Sequence, residues 1–193
     1  MVPAGLAVAV AAVGLQAAAE VASPAERMRA LNADLLASSS ATLTLEGWCA
    51  DRHLASPARI VALRDPAAVR PAPAEVRARL EVSVTEPLGY RRVRLACGGH
   101  VLSEADNWFV PARLTAEMNV TLSRTDTPFG RVVLPLSPHR VTLGVDWLWS
   151  GQGGAPPTDH GLFRHRALVE APNGQPLAYV QETYLSEILT AQP

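Results

Sequence analysis

The chain has 193 residues, long enough for one domain with a substantial core. Hydrophobic residues make up 48% and charged residues 18%, which excludes a disordered chain. The formal net charge is −1 and no basic run occurs, so no nucleic-acid partner is expected.

Residues 1–22 read differently from the rest. Val2 to Ala19 carries no charge and is mostly Ala, Val, Gly and Leu, with the small residues Ala17 and Ala19 ahead of Glu20 and Pro24. This is the pattern of a secretory signal, although the usual positive start is missing. The run is too short and too rich in Ala for a membrane-spanning helix, so no stable span is expected. The reading is a signal peptide or apolar segment over 1–22 and a mature domain over 23–193, placed in the periplasm or secreted. An Ala-rich first helix of a cytoplasmic protein is the alternative.

Ala25 to Ala37 carries Met28, Leu31, Leu35 and Leu36 at helical spacing, with Ser23 before Pro24 as a start signal. Ser38-Ser39-Ser40 ends it, and one of these serines can cap a second helix through ATLTLEGWCADRHL. The β-branched threonines there could instead make a strand. Arg59 to Arg64 alternates as a strand, a proline-rich link follows, and Val76 to Thr85 fits helix or strand. Tyr90–Cys97 and Val101–Val110 form a hairpin around Gly98-Gly99. Thr115 caps a short helix to Arg124. Arg140–Trp149, Leu162–Glu170 and Ala178–Leu185 read as strands, the last after an Asn173-Gly174 turn. Strands joined by hairpin turns, with the helices mostly early, imply an α+β domain with an antiparallel sheet and helices covering one face.

Two cysteines, Cys49 and Cys97, allow a disulfide if the chain is exported. They could equally be two small buried residues. Cys49 with His53 and Cys97 with His100 offer ligand types that zinc prefers, but the spacing falls short of a finger pattern. No metal and no cofactor is expected.

Four motifs in order carry a resemblance: Arg92 five residues before Cys97, Val110-Pro111 after the next strand, Thr127-Pro128-Phe129-Gly130-Arg131, and a Gly-x-Pro-Leu hairpin leading to Glu182. Together they resemble chorismate lyase, which splits chorismate into 4-hydroxybenzoate and pyruvate. The resemblance spans residues 30–190 and favours a helix after Ser40, because the family has a second helix beginning Ser-Met-Thr there. It implies a chorismate lyase-like fold, a reaction that needs no cofactor, and a small aromatic or cyclohexadienyl carboxylate as ligand; a monomer is expected. A non-catalytic binding protein for such acids is the alternative, since the same fold is similar to the effector-binding domain of some transcription regulators.

The resemblance also assigns residues. Arg92 would take the ring carboxylate, for which a planar guanidinium fork is suited. Strand alternation alone groups Arg91 with Val93, Leu95 and Cys97, and Arg92 with Arg94, so an apolar ligand face would favour Arg91. The Cys97 anchor selects Arg92. Glu182 shares a face with Ala178, Val180 and Tyr184, an apolar setting suited to a catalytic acid or base at the hydroxyl end of the ligand. Backbone N–H groups of Ala41 and Phe129 would bind the carboxylate. Two positions depart from the family: Ala41 stands where it has Met, and Asn107 where it has Arg, which makes Asn107 a candidate polar contact in the pocket.

Overall fold

The computed structural model describes residues 22–190, and the apolar segment over 1–22, but for its last residue, lies outside them. The chain begins with two helices. Helix α1 (Pro24–Ala37) starts at a capping box: the Ser23 side chain accepts from Glu26 N–H, and the Glu26 carboxylate accepts from Ser23 N–H. Its Met28, Leu31 and Leu35 are buried. Helix α2 (Ala41–Asp51) starts at Ser40, whose side chain accepts from Leu43 N–H, and it buries Thr42, Leu45, Trp48 and Cys49. That spacing is helical, and the cap and the buried face override the strand preference of the threonines.

Strand β1 (Ile60–Asp65) follows, then a proline-rich link and the short helix α3 (Ala74–Arg79), which resolves the ambiguous 76–85 segment. Strands β2 (Gly89–Cys97) and β3 (His100–Phe109) form the expected hairpin, with Gly98 at φ +58°, a conformation L side chains rarely adopt. Thr115 caps helix α4 (Ala116–Arg124), and the Thr-Pro-Phe-Gly turn becomes the one-turn helix α5 (Phe129–Val132). Strands β4 (His139–Trp147), β5 (Gly161–Glu170) and β6 (Pro176–Leu185) complete the sheet.

The six strands form one sheet in the order β1-β2-β3-β6-β5-β4, and every neighbouring pair is antiparallel. This is the α+β class the sequence implied. Helices α1 and α2 pack on the inner face against Val93, Leu95, Leu102, Ala105, Phe163 and Tyr184. Further along that face, Met118 and Leu122 of α4 and Val132 of α5 pack on Phe109 and Ala178. Helix α3 packs on the opposite face, where Val76 and Leu80 cover Trp108 and Tyr179. No helix of the described residues is long and apolar enough to cross a membrane.

Cys49 of α2 and Cys97 at the end of β2 are disulfide-bonded, with Cα atoms 6.5 Å apart. Both sulfurs are therefore committed, and neither is a thiolate that could hold zinc as the Cys/His spacing allowed. The bridge spans a sequence separation of 48 residues, for which a chain-entropy account gives about 4 kcal/mol of stabilisation. Reductant should therefore lower the thermal midpoint by roughly 10 °C. A Cys49→Ser/Cys97→Ser double variant should melt at the low value with or without reductant. A midpoint insensitive to reductant in the wild type would show that the bridge adds no stability.

Candidate functional site

An apolar cavity of about 110 Å³ lies between the inner face of the sheet and the starts of α2 and α5. Its floor is the run of inward-facing side chains on the three central strands, among them Val93, Ala105 and Val180. Its roof is the segment from Ser39 to Leu43, and Pro128 to Gly130 closes one side. The two helix starts touch. A Cβ placed on Gly130 would lie 3.2 Å from Thr42 Oγ1 and 3.6 Å from Ser40 Oγ, so glycine is what lets the turn come this close to the head of α2. Ala41 and Phe129, the first residues of those helices, both line the cavity. First-turn N–H groups have no partner within their own helix, so this corner suits an anion.

Glu182 of β6 lines the same cavity and is buried at 3% exposure. It is fixed in place: Oε1 accepts from the Ser103 hydroxyl at 2.8 Å and Oε2 from the Tyr184 hydroxyl at 2.8 Å. Burial and the nearby carboxylate push the Tyr184 phenol well above its ordinary pKa, so it remains a donor. Asn107 is buried at 4% exposure, lines the cavity, and its Oδ1 has no hydrogen-bond partner among the described residues. A buried amide oxygen without a partner costs about 1–3 kcal/mol, which a ligand donor would recover.

The arginine assignment needs correction. Arg92 points away from the cavity, on the outer face, where it pairs at 3.7 Å with Glu104 and at 3.6 Å with Asp106. The reason is parity. Cys97 points inward to reach Cys49, and an odd offset of five along a strand inverts the face. Arg91 is the inward residue. It is buried beside Asn107, its partner in the register, and donates to the carbonyls of Thr125 and Thr127, at the entry to the turn that forms α5. Burial and the Arg64 charge lower its pKa to about 10, which leaves it cationic at neutral pH, and its Nε has no partner among the described residues. So Ala41, Phe129, Asn107 and Glu182 are brought together, Arg91 stands behind the α5 corner, and Arg92 lies elsewhere.

Two residues at the site were not among the sequence candidates. Arg140 of β4 lines the cavity. It reaches the inner face because the register with β5 shifts between Thr142 and Gly144, which reverses the alternation set by Trp147 and Val145. Its guanidinium donates to Thr142 Oγ1 at 2.8 Å and approaches His165 Nδ1 at 3.4 Å. His165 is fully buried opposite Glu182, and its Nε2 lies 2.8 Å from Asn32 Oδ1. Burial, with Arg140 adding, pushes its pKa from 6.5 to about 4. The neutral ring thus donates from Nε2 to Asn32 and offers Nδ1 as an acceptor to Arg140.

This geometry sits on a chorismate lyase-like α+β fold. PhnF from Mycobacterium smegmatis superimposes with a TM-score of 0.54 at 11% identity, over 80% of this chain and 67% of that one. A separate structure of the effector domain of PhnF superimposes with a TM-score of 0.52 at 12% identity, over 76% of this chain and 88% of that domain. At such identities the likeness is one of fold. No family model matches the sequence. The uncharacterized protein y4mC of Sinorhizobium fredii (strain NBRC 101917 / NGR234) is 42% identical over 177 residues, covering 84% of this chain and 75% of y4mC. The chain belongs to the y4mC family.

The His165 environment has a measurable consequence. An unfolded histidine binds its proton near pH 6.5, and the folded one only near pH 4. Between those values the unfolded state holds more protons, so stability rises with pH across the window and falls as pH drops through it. The contribution is complete above about 6.5 and gone below about 4. Urea unfolding across pH 4–7 should show a shallower acid limb for His165→Gln than for wild type. Parallel limbs would mean the folded imidazole is not depressed.

Proposed function

We propose that this protein binds a small ring-bearing carboxylate in the cavity under α2. The observation that carries the reading is the meeting of a buried carboxylate, a partnerless buried amide and an anion-suited corner around one apolar cavity. The cavity volume of about 110 Å³ sets the scale. An engineered apolar cavity of about 150 Å³ holds benzene, so a single planar ring fits here with slight widening and a drug-sized ligand does not. The ring would lie on Val93, Ala105 and Val180. Its carboxylate would meet the N–H groups of Ala41 and Phe129, with the charge of Arg91 behind them. A para-hydroxyl would donate to Glu182, whose oxygens are already oriented by Ser103 and Tyr184. 4-Hydroxybenzoate is the simplest molecule of this form.

Chorismate cleavage is the second reading, favoured by the rigid placement of Glu182. In that reaction the ring loses the proton on its hydroxyl-bearing carbon, the neighbouring carbon–oxygen bond breaks, and the enolpyruvyl oxygen leaves to become pyruvate. A carboxylate held at the hydroxyl end could take that proton. Incubation with chorismate and chromatography of the products distinguishes the readings: equimolar 4-hydroxybenzoate and pyruvate mean lyase, and unchanged chorismate together with tight binding of 4-hydroxybenzoate means a binding protein.

For binding itself, titration calorimetry with 4-hydroxybenzoate should give one site per chain. Glu182→Gln keeps the shape and removes a charged acceptor, and should weaken binding roughly tenfold to hundredfold, the equivalent of about 1.5–3 kcal/mol. Arg91→Ala should weaken it at least as much, and Arg92→Ala should leave it near the wild-type value. Loss of binding in Arg92→Ala with retention in Arg91→Ala would overturn the assignment of the inner face as the ligand face.

We further propose that residues 23–193 form the mature domain and that the protein is exported, because a structural disulfide fits an oxidising compartment. Mass spectrometry of the natural protein should find a mature start near Ala19 to Ser23. An intact start at Met1 together with free thiols would contradict export.

A further inference from the structure

The strongest unexplained feature of the cavity is the charge on Arg140. The residue lines the cavity, is half-buried, and makes its side-chain hydrogen bonds only to neutral groups, Thr142 Oγ1 and His165 Nδ1. Among the described residues no carboxylate forms an ion pair with it. Buried or half-buried arginines are ordinarily paired with an acid, because an uncompensated cation loses hydration. Here the position that a carboxylate would take on the inner side is held by His165.

That substitution of a neutral acceptor for an acid matters. His165 is locked by Asn32 on Nε2, which leaves the Nδ1 lone pair facing the guanidinium. An acid at this point would orient Arg140 and cancel its charge. The imidazole orients it and leaves the charge intact, because burial keeps the ring unprotonated. Thr142, two residues along the same strand, also accepts from the guanidinium, at 2.8 Å. The result is a cation held in a fixed direction against His165, the register partner of Glu182, in the same cavity and with its charge available.

We propose that Arg140 is a second anion receptor of the site, oriented by His165 and Asn32, and that the ligand carries a second acidic group next to the hydroxyl that meets Glu182. The proposal rests on the ring-carboxylate reading and narrows it to rings with an acid at one end and a hydroxyl flanked by another acid at the other. Adjacency follows from the register: Arg140 lies against His165, and His165 is the direct partner of Glu182 on the neighbouring strand, so the substituents that Arg140 and Glu182 meet are neighbours on one ring. A half-buried cation also suits this role energetically, since the second acid can keep part of its hydration while it pairs.

The test uses two probes that differ by one group, 4-hydroxybenzoate and 4-hydroxybenzene-1,3-dicarboxylate. The second adds a carboxylate ortho to the hydroxyl. Titration calorimetry on the full chain should show the diacid binding at least tenfold more tightly than the monoacid. In Arg140→Gln the ratio of the two affinities should fall to near one. His165→Gln retains an acceptor for Arg140 and a donor for Asn32 and should keep most of the preference. His165→Leu retains the bulk only and should lose it. Positioning is thus read from a selectivity ratio, which a general loss of stability would not change. Monoacid binding with equal or weaker diacid binding in the wild type would overturn the second receptor and leave the ring-carboxylate reading standing. Binding of neither acid would overturn both.

Discussion

The position of α2 over the sheet is the constraint on which the site depends. The helix is tied at its C-terminal end by the disulfide from Cys49 to Cys97, which anchors it to β2. At its N-terminal end it meets α5, where the absence of a side chain at Gly130 lets Thr42 and Ser40 approach. Between these ties, Leu45 and Trp48 bury its inner face against the sheet. With both ends fixed, the cavity under the first turn cannot close by simple settling of the helix. Roofed by two helix starts and floored by three strands, the cavity is a consequence of how these elements are tied together.

The chemistry of the inner face follows a consistent logic. Its acid, Glu182, is oriented by two hydroxyl donors, Ser103 and Tyr184, neither of which brings a charge. Its cavity-lining cation, Arg140, is oriented by a hydroxyl and a neutral imidazole, while Arg91 is held by two backbone carbonyls. Direct pairing of the acid with the cation would have been the ordinary way to satisfy both, and would have left nothing to recognise a ligand. Neutral partners fix the geometry and preserve both charges, at the cost of a less stable interior. Such local departures from the most stable arrangement are what a binding site requires. The outer face does the reverse: Arg92, Arg70 and Tyr90 all converge on Asp106, and those charges are spent on one another.

Much of the fold was legible in the sequence. Helix caps at Ser23, Ser40 and Thr115 are short-range signals, and each marks a helix start in the structure. The hairpins at Gly98-Gly99 and Asn173-Gly174 were legible for the same reason, because turn chemistry is local. Glu182, Asn107, Ala41 and Phe129, all candidates on the sequence, line one cavity. What failed depended on parity. Counting five residues back from Cys97 selected an arginine on the wrong face, whereas alternation with Val93 and Leu95 pointed to Arg91. Arg140 was hidden by the opposite problem, a register shift in β4 that reverses an apparently regular alternation. Gly144 inside that strand was the available signal, since an isolated glycine in a strand marks a bulge. His165 sat on the apolar parity with Phe163 and Ala167, but its partner Asn32 is 133 residues away and no local pattern connects them.

The central claim is that the ligand lies on the inner face, beneath the first turn of α2. Intermolecular nuclear Overhauser effects between 4-hydroxybenzoate ring protons and a methyl-labelled protein test it most directly. The account predicts contacts to Ala41, Val93, Ala105 and Val180, which line the cavity. Contacts confined to outer-face groups such as Thr183 beside Arg92, with none to those four residues, would contradict it.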